Sequence, residues 1–291
     1  MMNGIDIASY QAGIRISAMG TTDFVIVKAT QGVSYDNPYF TKHITEAERS
    51  GKLIGVYHYA GGNSPSAEAD FFWSRFKPYV GKAVPALDWE GAQNNKFKMG
   101  PAWVKPFVER FHALSGVWPL VYMSKDVCRS HDWSWVAARC GLWCAQYGSD
   151  RLTDYQNRPW TDKKGLGAWP HMTIFQYSSH GRVMGYGANV DINLAYLDKE
   201  SWLKIAAGER KEADPVDMAD LFPGVDDDHD YIIKAYQSVL KGRGYYDGAI
   251  DGVWGPKSQA AAKAFQGTFG MDQSGIMGLE TVKRLFGLVE E

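Results

Sequence analysis

Short apolar runs recur along the first two-thirds of the chain: Gly4-Ile5-Asp6, Phe24-Val25-Ile26-Val27-Lys28, Leu53-Ile54-Gly55-Val56-Tyr57, Val84-Pro85-Ala86-Leu87-Asp88, Leu120-Val121-Tyr122, Leu142-Trp143-Cys144-Ala145, Thr173-Ile174-Phe175-Gln176 and Val190-Asp191-Ile192. Brief β-rich runs that are apolar on both faces read as buried strands of a parallel sheet. Helix-like segments stand between the early runs, at 38–50, 66–79 and 101–115, each opened by Pro or Ser; those residues favour helix N-termini. Eight strands alternating with helices predict a closed α/β barrel over residues 1–207. The connections at 148–172 and 178–189 are rich in Gly, Ser and Asn. The fold class expected is therefore an irregular TIM-like barrel, with eight strands and fewer helices.

The pattern changes after residue 207. Residues 208–228 are acidic, contain two prolines and show no apolar period, which reads as a linker. From 229 to 291 helical spacing returns in Ile232, Ile233, Tyr236 and Leu240, then in Ala261, Ala264 and Phe265, with a short last helix over 278–286. Glycine-rich turns at 244–248 and 250–255 separate them. A small three-helix α domain is expected there, with a core only marginally stable alone.

Composition narrows the function. A net charge of −2 gives no electrostatic reason to expect a nucleic-acid partner. No apolar run approaches the roughly 20 residues of a membrane span, so no membrane insertion is expected. Eleven Trp and sixteen Tyr supply faces for sugar rings as well as for cores. Cys128, Cys140 and Cys144 are odd in number, and the last two lack a second ligand pair nearby. His58, His112 and His131 fall on different elements without a metal-binding spacing. No metal and no cofactor are expected.

In a parallel barrel the C-terminal strand ends open on one face, where active sites are built. Here those ends carry Asp6, Lys28, Tyr57 and Tyr59, Asp88 and Glu90, Tyr122, Gln146 and Tyr147, Gln176 and Tyr177, and Asp191. Residues two apart on a strand share a face, so Asp88 and Glu90 should point into the cleft while Trp89 turns away. Two adjacent carboxylates cannot ionise independently, and one is held protonated. Glycosidic cleavage uses that asymmetry: one acid protonates the departing oxygen while negative charge supports the oxocarbenium-like centre. The alternative is an acidic strand end of no catalytic role.

Five ordered segments then match a known pattern: Gly4-Ile5-Asp6-Ile7-Ala8-Ser9-Tyr10-Gln11, Phe24 to Gly32, Gly55-Val56-Tyr57-His58-Tyr59-Ala60, the Asp88/Glu90 strand, and Val190-Asp191-Ile192-Asn193. Together they resemble the glycoside hydrolase family 25 lysozymes over about 1–207. The resemblance implies hydrolysis, with retention, of the β-1,4 bond between N-acetylmuramic acid and N-acetylglucosamine of bacterial peptidoglycan. It implies Glu90 as general acid and Asp88 as its partner, either as nucleophile or by steering the substrate's acetamido group. Asp6 and Asp191 would tune the pair and hold sugar hydroxyls. Tyr59, Tyr122, Trp143, Gln176 and Tyr177 are the candidates for the sugar-binding wall.

The C-terminal segment resembles the peptidoglycan-binding domain of wall hydrolases, through Gln237, Leu240, Gly244, Tyr245, Asp251-Gly252, Trp254-Gly255, Phe265-Gln266, Gly275 and Thr281. A groove near Tyr246, Asp251 and Trp254 is the candidate wall-binding surface. The stretch Met1 to Asp6 has neither a basic leader nor an apolar core before a cleavage site. The expectation is a product made in the host cytoplasm that meets the wall after holin-mediated release, as phage endolysins do. An autolysin of the same activity, a wall-binding lectin without catalysis, and a glycosidase of different bond specificity are the competing readings.

Overall fold

In the computed structural model, which describes residues 1–208 and 230–286, each of the eight apolar runs forms a strand. β1 (Met2–Ile7), β2 (Phe24–Gln31), β4 (Leu53–Tyr59), β5 (Ala83–Asp88), β6 (Leu120–Ser124), β7 (Leu142–Ala145), β8 (Ile174–Gly181) and β9 (Val190–Ala195) lie side by side, and β1 also pairs with β2 to close the ring. A ninth strand, β3 (Tyr35–Asp36), folds back antiparallel on the end of β2. The chain divides into two compact units, Met1–Arg210 and Lys211–Glu291. Beyond Gly208 the expected linker lies outside the described residues.

The expectation of an all-parallel barrel needs one correction. Strands β1 to β8 of the ring run parallel, but β9 is antiparallel to both its neighbours, β8 and β1. The reason is the short chain between Gly181 and Val190. A parallel return needs a crossover of a dozen or more residues, whereas a hairpin does not.

Alternation along the strands separates an outer from an inner layer. Ile5, Ile7, Val25, Val27, Ile54 and Val56 join the helix side chains Ile44, Phe72, Phe107 and Phe111 in one apolar shell. The helices are α1 (Phe40–Arg49), α2 (Pro65–Phe76), α3 (Pro101–Ser115), the one-turn α4 (Ser134–Ala137) and α5 (Lys199–Ala207). Proline opens α2 and α3, and Gly116 at φ 73° ends α3, the asymmetry expected of helix ends. The stretch 148–172 forms no helix.

Phe24 and Ile26 fill the barrel interior against glycines. A Cβ on Gly55 would stand 2.9 Å from Ile26 Cγ1. At the end opposite the acids, α5 closes the barrel. Its Trp202 ring lies 4.8 Å from that of Phe24, and its indole N–H donates to Ile54 O at 3.1 Å. Asp198 caps this helix by accepting from the Ser201 N–H at 2.7 Å.

The second unit contains α6 (Asp230–Gly242), α7 (Pro256–Thr268) and α8 (Leu279–Leu285) around Leu240, Tyr246, Ala261, Phe265 and Leu285. Two buried glutamines tie its turns in the same way. Gln237 Oε1 accepts from Gly252 N at 3.0 Å, while its Nε2 donates to Val253 O at 3.0 Å and Ser258 Oγ at 3.1 Å. Gln266 Oε1 accepts from Gly275 N at 2.9 Å, while its Nε2 donates to Ile276 O at 2.7 Å and Thr281 Oγ1 at 3.2 Å. The unit is thus an internal repeat: Ala, an aromatic and Gln on a helix, then Gly-(Val/Ile)-x-Gly-x-x-(Ser/Thr).

Trp202→Ala should remove about 3–5 kcal/mol from the barrel, read as a lower urea midpoint at unchanged slope. A midpoint within error of the parent would show that α5 is not the barrel's closure.

Candidate active site

The ring brings Asp6, Asp88, Glu90 and Asp191 to one rim. Asp6 ends its strand directly opposite Asp191. Asp88 ends β5 with Tyr59 on one side and Tyr122 on the other. Asp191 stands at the start of β9, not at its end, and reaches this rim because β9 runs backwards. Trp89 does turn away: its fully buried ring stacks on Trp103 at 5.0 Å and packs on Phe97 at 5.8 Å. Asp6 and Asp88 are buried, whereas Glu90 and Asp191 are half-exposed.

Burial and mutual repulsion raise the proton affinity of this group. Asp88 is pushed well above the carboxylate range, first by burial and then by Glu90, with Lys28 opposing. Asp191 is raised to about 8 by burial and by the charges of Asp6 and Glu90. Asp6 rises to about 6, its burial partly offset by hydrogen bonds from Asn193 and Gln176. Lys28 is itself pulled down by burial, against the attraction of Asp88 and Glu90. Protons are therefore held more tightly on Asp88 and Asp191 than on Asp6.

A chain of hydrogen bonds fixes Asp6. Its Oδ2 accepts from Gln176 Nε2 at 2.8 Å and from Asn193 Nδ2 at 2.7 Å. Trp143 Nε1 donates to Asn193 Oδ1 at 2.8 Å, and the hydroxyls of Tyr122 and Tyr147 donate to Gln176 Oε1 at 2.8 and 2.6 Å. Indole and phenol donors on the amide oxygens leave only the amide NH2 groups to face Asp6.

The loop after Glu90 is pinned from the other side. Tyr59 OH donates to Ala92 O, and Gln31 Nε2 donates to Gln93 Oε1 at 2.7 Å. Gln93 has φ 57°, the one left-handed non-glycine among the described residues, and such strain collects at functional sites. Lys28 Nζ lies 4.5 Å from the Tyr59 ring centroid and donates to Gln31 Oε1 at 2.8 Å. A cleft of about 480 Å³ opens here, with Tyr10, Lys28, Gln31, Tyr35, Asn63 and Gln93 among its lining.

Residues 5–186 match glycosyl hydrolases family 25. The chain belongs to glycosyl hydrolase family 25. A putative peptidoglycan binding domain matches residues 230–285. Among curated relatives, an N,O-diacetylmuramidase of Chalaropsis sp is 31% identical over 196 residues, covering 61% of this chain and 88% of that protein. The autolytic lysozyme of Clostridium acetobutylicum is 28% identical over 285 residues, 96% of this chain and 77% of its own. Among solved structures, the muramidase from Trichobolus zukalii superposes with a TM-score of 0.57 at 27% identity, covering 72% of this chain and 100% of that one. The family 25 chain is therefore a glycosidase, built as a closed eight-stranded barrel with one added strand.

Several residues expected on the sugar-binding wall serve other ends. Trp143 and Gln176, each 2% exposed, lie beneath the cleft and hold Asp6 from below. Tyr59 and Tyr122 are buried and spend their hydroxyls on Ala92 O and Gln176. Tyr177 is buried as well and accepts from Gln156 N at 3.0 Å. The barrel aromatics that do face solvent, among the described residues, are Tyr10 at 88%, Tyr35 at 38%, Tyr147 at 39% and Trp160 at 57% exposure. Tyr10 lies inside the first matched motif, so its position was readable. Trp160 sits in an irregular loop with no periodic signal.

Two further corrections concern the remaining candidates. Tyr246 does not line an exposed groove: it is a core residue whose hydroxyl donates to Ala249 O at 2.7 Å. Asp251 is exposed but accepts from Gln237 Nε2 at 2.8 Å, and Trp254, half-buried, packs edge-on against Tyr236. His58 is not a ligand candidate either. Fully buried, it pairs with Glu68 at 2.9 Å and Thr30 at 2.8 Å, and Glu68 also accepts from the N–H groups of Gly61 and Asn63. The pair braces the wall of the 480 Å³ cleft from behind. Among the described residues no metal-binding cluster occurs.

Between pH 4 and 8 the folded barrel keeps a proton on Asp191 that the unfolded chain loses near 3.8, so stability falls as pH rises through that window. Asp191→Asn should then raise the thermal midpoint relative to the parent at pH 8 and leave it nearly unchanged at pH 4. An equal shift at both values would mean that Asp191 titrates normally.

Proposed function

We propose that this chain hydrolyses the β-1,4 bond between N-acetylmuramic acid and N-acetylglucosamine, with retention, through Glu90 as general acid and Asp88 as the residue that steers the substrate's acetamido group. The observation that carries it is the buried Asp88, its proton affinity raised by burial and by Glu90, two residues from a half-exposed Glu90 on the same rim. A nucleophilic carboxylate must be ionised, and burial with like-charge repulsion works against that at Asp88. A carboxyl in this state suits a hydrogen bond to an acetamido group. The acetamido oxygen then attacks the anomeric carbon as Glu90 gives its proton to the departing oxygen. Water opens the resulting ring from the face that the departing oxygen left, giving a proton to Glu90, and two inversions leave the configuration unchanged. Asp6 and Asp191 tune the pair and hold sugar hydroxyls. The likeness to a Chalaropsis N,O-diacetylmuramidase and a Trichobolus zukalii muramidase supports this reading.

The biological setting we propose is host-cell lysis by an endolysin that reaches the wall after holin-mediated release. A relative named as a lysozyme of Streptococcus phage Cp-7, 29% identical over 208 residues, supports it. The autolysin reading has its own support, because the Clostridium relative aligns across both units of this chain. Expression in a bacterial cytoplasm separates them: the endolysin setting expects lysis only on co-expression of a holin.

Glu90→Gln should lower lysis of a wall suspension by at least about 100-fold while circular dichroism stays unchanged, and the parent's products should end in reducing muramic acid by mass spectrometry. Reducing glucosamine ends would assign a different bond, and near-normal lysis would remove Glu90 from the chemistry. Deleting 208–291 should weaken sedimentation with purified walls while sparing the barrel's circular dichroism; unchanged sedimentation would deny the second unit a targeting role.

A further inference from the structure

A second cleft, of about 320 Å³, opens on the same rim between the chain segments that follow β7 and those of β8. Its lining includes Ser149, Arg151, Leu152, Thr153, Gln156 and Trp160. It adjoins the acids through two residues. Gly148 follows Tyr147, whose hydroxyl holds Gln176, and Tyr177 and Ser178 follow Gln176 on β8. In the ring, Asp88 on β5 and Asp191 on β9 stand between this cleft and the larger one, which is built on β1, β2 and β4.

The chemistry of this lining differs from that of the acid rim. Arg151 is exposed, and its guanidinium has no ion-pair or hydrogen-bond partner among the described residues. No carboxylate lines the cleft. Trp160 (57% exposed) and Leu152 (60% exposed) present apolar surface beside this cation. The ring of Trp160 rests against the chain at Gly148, where a Cβ would stand 3.0 Å from its Cε3. The loop is held in place as well: Gln156 N donates to Tyr177 OH at 3.0 Å, and Gln156 Nε2 donates to Thr153 Oγ1 at 2.7 Å.

We propose that this cleft binds the acidic peptide branch that muramic acid carries on its lactyl group, an inference that rests on the muramidase reading. A neutral sugar offers a guanidinium hydrogen-bond acceptors but no opposite charge. A short peptide of alanine methyls and free carboxylates offers a partner to each part: carboxylate to Arg151, methyls to Leu152 and Trp160, amides to Ser149, Thr153 and Gln156. The branch leaves the glycan strand at the sugar whose bond is cut, so a pocket beside the acids lies within its reach. The barrel would then read the decoration of the strand as well as its sugars.

The test compares glycan strands that retain their peptides with the same strands stripped by an N-acetylmuramoyl-alanine amidase, using the full chain and its Arg151→Ala and Trp160→Ala variants. On peptide-bearing strands each variant should raise KM by about fivefold, as for a partly exposed charge pair, with kcat unchanged. On stripped strands, whose muramic acid keeps a free lactyl carboxylate at the branch point, Trp160→Ala should match the parent and Arg151→Ala should lose less than on peptide-bearing strands. Equal losses on both substrates would assign the cleft to sugar, and no loss on either would leave it without a ligand; both overturn the proposal. Calorimetry with muramyl dipeptide against N-acetylmuramic acid keeps the two readings apart. Dipeptide binding that depends on Arg151, without any cleavage, would remove the muramidase reading alone. Cleavage without such discrimination would remove the cleft's role alone.

Discussion

Four carboxylates share one small rim with Lys28 as the cation that faces them, and charges of one sign cannot all persist in a half-buried space. That constraint organises the barrel's open end. Asp88 and Asp191 bind protons more tightly than Asp6, whose charge is hydrogen-bonded, and Glu90 is left half-exposed at the rim. Glycosidic cleavage draws on carboxyl groups of unequal proton affinity held on one rim.

The division is built by neighbours rather than by the acids themselves. Asp6 can keep its charge because Gln176 and Asn193 both turn their NH2 groups toward it, and they do so because Tyr122, Tyr147 and Trp143 occupy their oxygens. Asp88 has no such donors. One of its oxygens is buried without a hydrogen-bond partner among the described residues. Holding repelling acids together costs stability, as is common at functional sites. The surrounding apolar shell and the Trp202 closure offset that cost.

The second unit solves a different problem. With a small core cluster, five buried side chains among the described residues, it has little hydrophobic burial to hold its turns, and Gln237 and Gln266 take over that task by binding glycine amides and carbonyls in two matching turns. Trp254 packs partly inward, edge-on against Tyr236.

The amino-acid sequence by itself determined the eight strands, the first three helices, the family and the identity of the four acids, because alternation, helix-opening residues and ordered motifs are local signals. It also placed Asp88 and Glu90 on one face with Trp89 on the other, since that follows from strand geometry alone. Tertiary structure decided the rest. Whether Asp191 reaches the rim depends on the backward run of β9, a property of a connection and its neighbours. Whether Trp143, Gln176, Tyr177 and Tyr246 meet ligand or core depends on which atoms surround them, and an aromatic or amide residue has the same local signal in both places. The cleft beside Trp160 is formed by an irregular loop folding onto β8, and no periodicity announces such a contact.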